Sequence, residues 1–173
     1  MDVFDAIKGR RSVRAFKPTP VKEEDLKKIL DAAQWAPSAG HRQPLELVVV
    51  KNQSQKERLV QAALGQSFIA EAPVVIVVCA NVERSSSRYG ERGANLYCIQ
   101  DTAAAIQNIH LAAHALGYAT CWVGAFDEAQ AAKVVEASAG IRPVAIIPLG
   151  KPAEKPSPPR RVQLEKILHE ERF

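Results

Sequence analysis

From about Leu96 to Leu116 the sequence predicts one long helix, and its composition limits the folds open to the chain. Alanine stands at 103, 104, 105, 112, 113 and 115. Ile99, Ile106, Ile109, Leu111 and Leu116 are distributed around the helix rather than along one stripe. A surface helix carries a single apolar face. Small residues on several faces let other elements pack closely on more than one side. The segment therefore reads as a central helix that meets both its own domain and another subunit. Gly117 ends it.

The elements around it follow from local patterns. Val3, Phe4 and Ile7 fit one face of a short helix capped by Asp2 and stopped at Gly9. Glu23-Glu24-Asp25 opens a second helix, with Leu26, Ile29, Leu30 and Ala33 inward and an end before Pro37. Leu47–Val50 and Val74–Cys79 are continuous apolar runs and read as buried strands. Between them Ser54 is expected to cap a helix reaching about Leu64, interrupted by Gly65-Gln66. Residues 81–96, with Arg84-Ser85-Ser86-Ser87-Arg88, lack an apolar period and are expected to form a surface loop or mobile lid. Thr120–Phe126 reads as a third strand, Asp127 as the cap of a helix to about Ser138, and Pro143–Leu149 as a fourth strand. The expected class is α+β, a small mixed sheet surrounded by helices.

Length and composition narrow the function classes. A chain of 173 residues with 47% hydrophobic residues supports one domain with a substantial core, here residues 1–173. No apolar run approaches the roughly 18 residues of a membrane span, so no membrane partner is expected. The net charge of +4 suits a binder of small anions better than a nucleic-acid partner. Three cysteines, odd in number and without a Cys-x-x-Cys pair, fit reduced thiols in the cytoplasm. The acidic start, with Asp2 and Asp5, is unlike a signal peptide. Neither a Gly-x-Gly-x-x-Gly nor a Walker A sequence is present.

The densest chemistry lies in Arg10-Arg11-Ser12-Val13-Arg14, where three arginines and a hydroxyl fall within five residues. Guanidinium groups answer a phosphate with fixed, bidentate donors. Val13 and the following Ala15-Phe16 would be superfluous on a solvated basic loop, so this segment reads as a phosphate site packed on one side. His110 and His114 stand four apart on the long helix, but the glutamate of a metal-binding His-Glu-x-x-His is missing, and packing is the better reading. Cys121 reads as a small buried residue near the third strand.

Four segments, taken in order and spacing, resemble the nitroreductase family of flavin-dependent oxidoreductases over nearly the whole chain. They are Arg10 to Arg14, Ala36-Pro37-Ser38 through Gln43-Pro44, Ile99-Gln100-Asp101 to Gly117 with Thr120-Cys121-Trp122-Val123-Gly124, and Leu149-Gly150-Lys151-Pro152 through Arg160-Arg161. The resemblance implies a homodimer with FMN at the subunit interface. Residues 151–173 would form an extended tail that embraces the partner subunit. Arg10 and Ser12 resemble ligands of the FMN phosphate and ribityl chain, with Arg11 beside them. Arg14 is similar to the basic residue near the flavin N1 and C2 carbonyl. Pro37, Ser38 and Ala39 resemble the loop that lines the ring from the partner subunit. His41 stands where the family usually has asparagine, and it too can donate a hydrogen bond. Gln66 falls where an amide often meets the pyrimidine edge. Trp122, Val123 and Gly124 resemble the strand approaching N5 and O4. Arg160 or Arg161 resembles the late basic residue that closes on the phosphate.

The activity implied is reduction of a small-molecule acceptor, such as a nitroaromatic or a quinone, by NADH or NADPH in a ping-pong scheme. The flavin carries the chemistry and no protein residue is catalytic. The other readings are a flavin carrier or redox sensor with little turnover, and a reductive dehalogenase or flavin-processing relative. The chain is short for the family, which bears on the substrate more than on the flavin.

Overall fold

The computed structural model describes residues 1–173. Four strands form one sheet: β1 (Leu45–Val50), β2 (Val74–Asn81), β3 (Ala119–Thr120) and β4 (Ile141–Gly150), in the order β1-β2-β4-β3. The helices are α1 (Val3–Gly9), α2 (Glu23–Gln34), α3 (Gln53–Ala62), α4 (Phe68–Glu71), α5 (Val82–Arg92), α6 (Cys98–Ala115) and α7 (Glu128–Val134). None is long and apolar enough to cross a membrane.

The expected sheet was mixed; every strand pair is antiparallel. The chain leaves β1 at Val50 and re-enters the sheet beside it, with Val50 opposite Val75. Two helices, α3 and α4, return it to the same end, whereas a parallel crossover would carry it to the other. The only parallel pairing is the isolated bridge between Ser12 and Thr120.

The core sits on both faces of the sheet, sorted by the period of two. Val74, Ile76 and Val78 of β2, with Ala145, Ile147 and Leu149 of β4, pack against Leu26 and Ile29 of α2 and Ile106 and Ile109 of α6. The alternate residues Val75, Val77, Cys79 and Ile146 pack against Leu59 of α3, Ile69 of α4 and Val134 of α7. The continuous apolar runs in β2 and β4 thus reflect burial on two sides. Burial pushes the Cys79 thiol up to about 12, so it is an inert packing group.

Further expectations need correction. Residues 81–96 are not a loop: α5 is capped by Asn81, whose Oδ1 accepts from Arg84 N at 2.9 Å, and a π-turn at Gly93–Tyr97 leads into α6. This helix is held by polar contacts and by close packing of Gly93, where a Cβ would lie 2.6 Å from Ser85 O. The third strand is shorter than expected. Its register continues to a lone bridge between Val123 and Ile146, but it places Pro148, which has no N–H, opposite Cys121. Finally, Asn52 rather than Ser54 caps α3, accepting from Gln55 N at 3.0 Å. Asp127 caps α7 as expected, although that helix ends at Val134.

Candidate functional site

The arginine segment is held between the sheet edge and the tail. On one side Val13 N donates to Thr120 O at 3.1 Å, beside the Ser12–Thr120 bridge. On the other, Lys17 N donates to Lys151 O at 2.9 Å and Ala153 N to Ala15 O at 2.9 Å, with Phe16 bridging Pro152. Val13 and Phe16 are buried, which turns the residues between and beside them outward. Glu154 adds a further tie, accepting from Arg14 N at 2.5 Å. The segment therefore behaves as an extra strand-like layer, and its cations have a fixed frame.

Arg10, Arg11, Ser12 and Arg14 line a cavity of about 300 Å³ together with Pro156, Ser157, Pro159 and Arg161 of the tail. Its lining holds four arginines and two hydroxyls, and no carboxylate. Burial, and then the charges of Arg11 and Arg161, pull the Arg10 pKa below its ordinary value. That crowding of cations is unfavourable unless an anion relieves it. Arg11 is partly committed: its Nη1 donates to Lys8 O at 2.6 Å and to Arg10 O at 2.9 Å, satisfying the end of α1. Arg14 lies 5.9 Å from the centroid of Phe68. Of the two late arginines, Arg161 faces the cavity and Arg160 is not among its lining residues.

Behind the cavity lies a residue whose part in the site the sequence did not disclose. His110 of α6 is buried, and its Nδ1 is 2.6 Å from Thr120 Oγ1. Burial, with a smaller contribution from Arg10, lowers its pKa to about 4, so the ring is neutral near pH 7. A neutral ring adds no repulsion to the cations in front of it and fixes Thr120, which in turn holds Val13. His114, one turn on, is also lowered by burial and by Arg10 and Arg11.

Trp122 is 41% exposed, with its ring centroid 5.9 Å from that of His110. The backbone of Val123 is consumed by Ile146, donating and accepting at 3.0 Å. Trp122 and Gly124 are therefore the open part of this segment. Cys121 is buried; burial raises its thiol pKa, opposed by the charges of Arg14 and Arg10. Gln66 donates from Nε2 to Ala63 O at 2.9 Å and Ala125 O at 3.0 Å. Its amide nitrogen thus braces the Gly124 loop, which leaves Oε1 as its free polar atom.

The loop Pro37–His41 is elsewhere in the chain. Pro37 and Ser38 line a second cavity of about 290 Å³ with Gln43, Arg84 and Asp101. Asp101 accepts from Ala39 N at 3.1 Å, and Ser38 Oγ accepts from Gln43 N at 3.0 Å. Gly40, His41 and Gln43 all have left-handed φ, at 53°, 55° and 49°. Two of these are not glycine, so the loop stores strain that its tethers must hold. One chain therefore brings Arg10, Arg11, Ser12, Arg14 and Arg161 together, but not Pro37, Ser38, Ala39 and His41 with them.

Fold and cavities define an α+β protein with a polycationic cavity at the edge of its sheet and a strained, tethered loop at a second one. The nitroreductase family model matches residues 7–68 and 62–151, and the chain belongs to that family. A Methanothermobacter thermautotrophicus protein provisionally named an NADH dehydrogenase/NAD(P)H nitroreductase is 37% identical, over 96% of this chain and 88% of its own length. An FMN reductase [NAD(P)H] of Bacillus subtilis is 25% identical, over 99% of this chain and 74% of its own. The crystal structure of a nitroreductase family protein from Clostridium novyi superposes with a TM-score of 0.81 at 31% identity, covering 89% of this chain and 87% of that one.

Proposed function

We propose that this chain is an FMN-dependent NAD(P)H oxidoreductase that works as a homodimer in the cytoplasm. The observation that carries the reading is the cavity of Arg10, Arg11, Ser12, Arg14 and Arg161, cationic and free of carboxylates in its lining. The donor set fits a phosphate ester: guanidinium forks for its oxygens and hydroxyls for the neighbouring chain. The B. subtilis relative, named for FMN and NAD(P)H, supports the same cofactor and donor.

When bound, FMN would supply the redox chemistry between NAD(P)H and an acceptor such as a nitroaromatic or quinone, in ping-pong order. The chain's own residues bind, orient and tune. Arg10, Ser12 and Arg161 hold the phosphate end, with Arg11 fixing the end of α1 beside them. Arg14 puts positive charge at the N1–C2 edge of the ring and raises its potential. Trp122, Val123 and Gly124 form the wall along the ring, and Gln66 offers Oε1 toward its pyrimidine edge. Pro37, Ser38, Ala39 and His41 line the ring of the other subunit's cofactor.

Uncovered apolar surface supports the dimer. Val3, Phe4 and Ile7 of α1, Trp35, and Val162, Leu164, Ile167 and Leu168 of the tail are all exposed in the single chain. Val3, Phe4 and Ile7 share one face of α1, and an exposed apolar face suits an interface better than solvent, with the tail 151–173 embracing the partner.

The test is anaerobic mixing of the purified protein with NADH and with NADPH. Loss of the yellow flavin absorbance, and its return on adding a quinone, is the expected result. A flavin that neither donor bleaches would instead favour the carrier reading.

A further inference from the structure

The segment Arg84-Ser85-Ser86-Ser87-Arg88 is not absorbed by the cofactor site, yet α5 lies directly against loop 38–43. Arg42 donates from Nε to Arg84 O at 3.0 Å and from Nη2 to Ser87 Oγ at 2.8 Å. Arg84 donates from Nη1 to Gln43 O at 2.7 Å and from Nη2 to Glu46 Oε1 at 2.5 Å. These two arginines are spent on the loop's architecture.

Arg88 is not spent in this way. It is exposed, its guanidinium lies 5.6 Å from the Tyr89 centroid, and none of the three ion pairs in the chain includes it. Its Nε stands 3.4 Å, and Tyr89 Oη 2.2 Å, from where a Cβ on Gly40 would be. Arg88 and Tyr89 therefore roof the strained loop. The row continues outward: Tyr89 meets Tyr97 edge-on at 5.1 Å, and Arg92 lies 5.3 Å from the Tyr97 centroid with its Nε bonded to Tyr97 Oη at 2.9 Å. Of the nearby acids, Glu46 pairs with Arg84, and Asp101 accepts from Ala39 N through Oδ1 while its Oδ2 is buried without a partner. Neither these nor the exposed Glu91 forms an ion pair with Arg88.

We infer that the row Arg88-Tyr89-Tyr97-Arg92 forms the outer wall of the substrate pocket above loop 37–41. It selects substrates that join a planar ring to an anionic group, and Arg88 makes the anion contact. This rests on the oxidoreductase reading above, in which that loop lines a flavin. A guanidinium stacked on a phenol keeps its in-plane N–H donors free for a carboxylate or phosphate. The tyrosines supply aromatic surface for the attached ring. Two sources share this chemistry: the adenosine 2′-phosphate of NADPH, and an aromatic acceptor bearing an acid group.

The experiment compares the holoenzyme with Arg88→Gln, each checked for FMN content and melting temperature. Steady-state kcat/KM is measured for NADPH against NADH, and for 4-nitrobenzoate against 4-nitrobenzyl alcohol. Calorimetry on the oxidised holoenzyme measures binding of 4-nitrobenzoate and of adenosine 2′,5′-bisphosphate. A charge-assisted contact predicts that one charged-over-neutral ratio, and the matching affinity, falls about tenfold in the variant. A fall on the nucleotide side identifies the 2′-phosphate, and a fall on the acceptor side an acid-bearing acceptor. Arg88→Lys, which keeps the charge, should recover part of the loss. Wild-type protein that holds FMN and turns over, with both ratios unchanged in Arg88→Gln, overturns this inference alone. Protein that neither holds FMN nor oxidises NAD(P)H overturns it together with the functional reading.

Discussion

Replacing His110 with asparagine should flatten the acid side of the stability profile, by an amount the structure sets. The ring is 3% exposed, and its pKa falls from 6.5 to about 4. Between those values the unfolded chain takes up a proton that the folded chain refuses. Stability is therefore full above about pH 6.5 and declines as pH falls toward 4. At 1.36 kcal/mol per unit, the decline attributable to this ring is about 3 kcal/mol in all and about 2 kcal/mol between pH 7 and pH 5. Asp101 acts in the opposite sense, because burial raises its carboxyl and the folded form keeps a proton longer. Comparing the two proteins cancels that contribution. Asparagine cannot titrate here, yet it can still bond Thr120 Oγ1. Urea unfolding of both proteins at pH 7 and pH 5 gives the four free energies required. The variant should lose about 2 kcal/mol less than wild type over that interval. Equal losses would refute the view that His110 is a buried neutral support of the arginine segment.

Arg161→Ala should weaken FMN binding at least about tenfold, and Arg160→Ala less than about twofold, in fluorescence titrations, because one charged hydrogen bond is at stake in the first only. Arg14→Ala should lower the flavin potential by roughly 30 mV, the two-electron equivalent of one favourable charge contact, as read by dye-equilibrated reduction. Gly40→Ala should cost about 1–3 kcal/mol, since the residue is left-handed and its Cβ would meet Tyr89 Oη. Tyr89→Phe in the same chain should return part of that loss in thermal melts.

The sequence was most readable where one physical cause dominated. Val74–Asn81 and Ile141–Gly150 are apolar because both faces of the sheet are covered, and a run of that length has few other uses. The helix Cys98–Ala115 was visible in its alanines. Helix Val82–Arg92 was not, because it has no apolar stripe: Asn81 caps it, Ser85 is buried under Gly93, and arginine bonds attach it to loop 38–43. Nor does sequence fix strand direction, which depends on the end to which α3 and α4 return the chain. Pro148 shortened β3 from across the sheet, a partner that local pattern does not reveal.

The site divides in the same manner. Arg10, Arg11, Ser12 and Arg14 stood out because they are dense and contiguous. Arg161 could not be told from Arg160, since only the path of the tail turns one toward the cavity. The tie from Asp101 to Ala39 spans 62 residues, and the service of His110 to Thr120 links a helix to a strand edge. Both are tertiary facts, with no local signature beyond a polar residue on a largely apolar helix.

In the proposed function Arg10, Ser12 and Arg161 grip a flavin by its phosphate. Titrating the flavin-free protein with FMN and with riboflavin, which differ only in that phosphate, tests it most directly. Two or more charge-assisted hydrogen bonds predict that FMN binds at least about 100-fold more tightly than riboflavin. Equal affinity for the two would contradict the account.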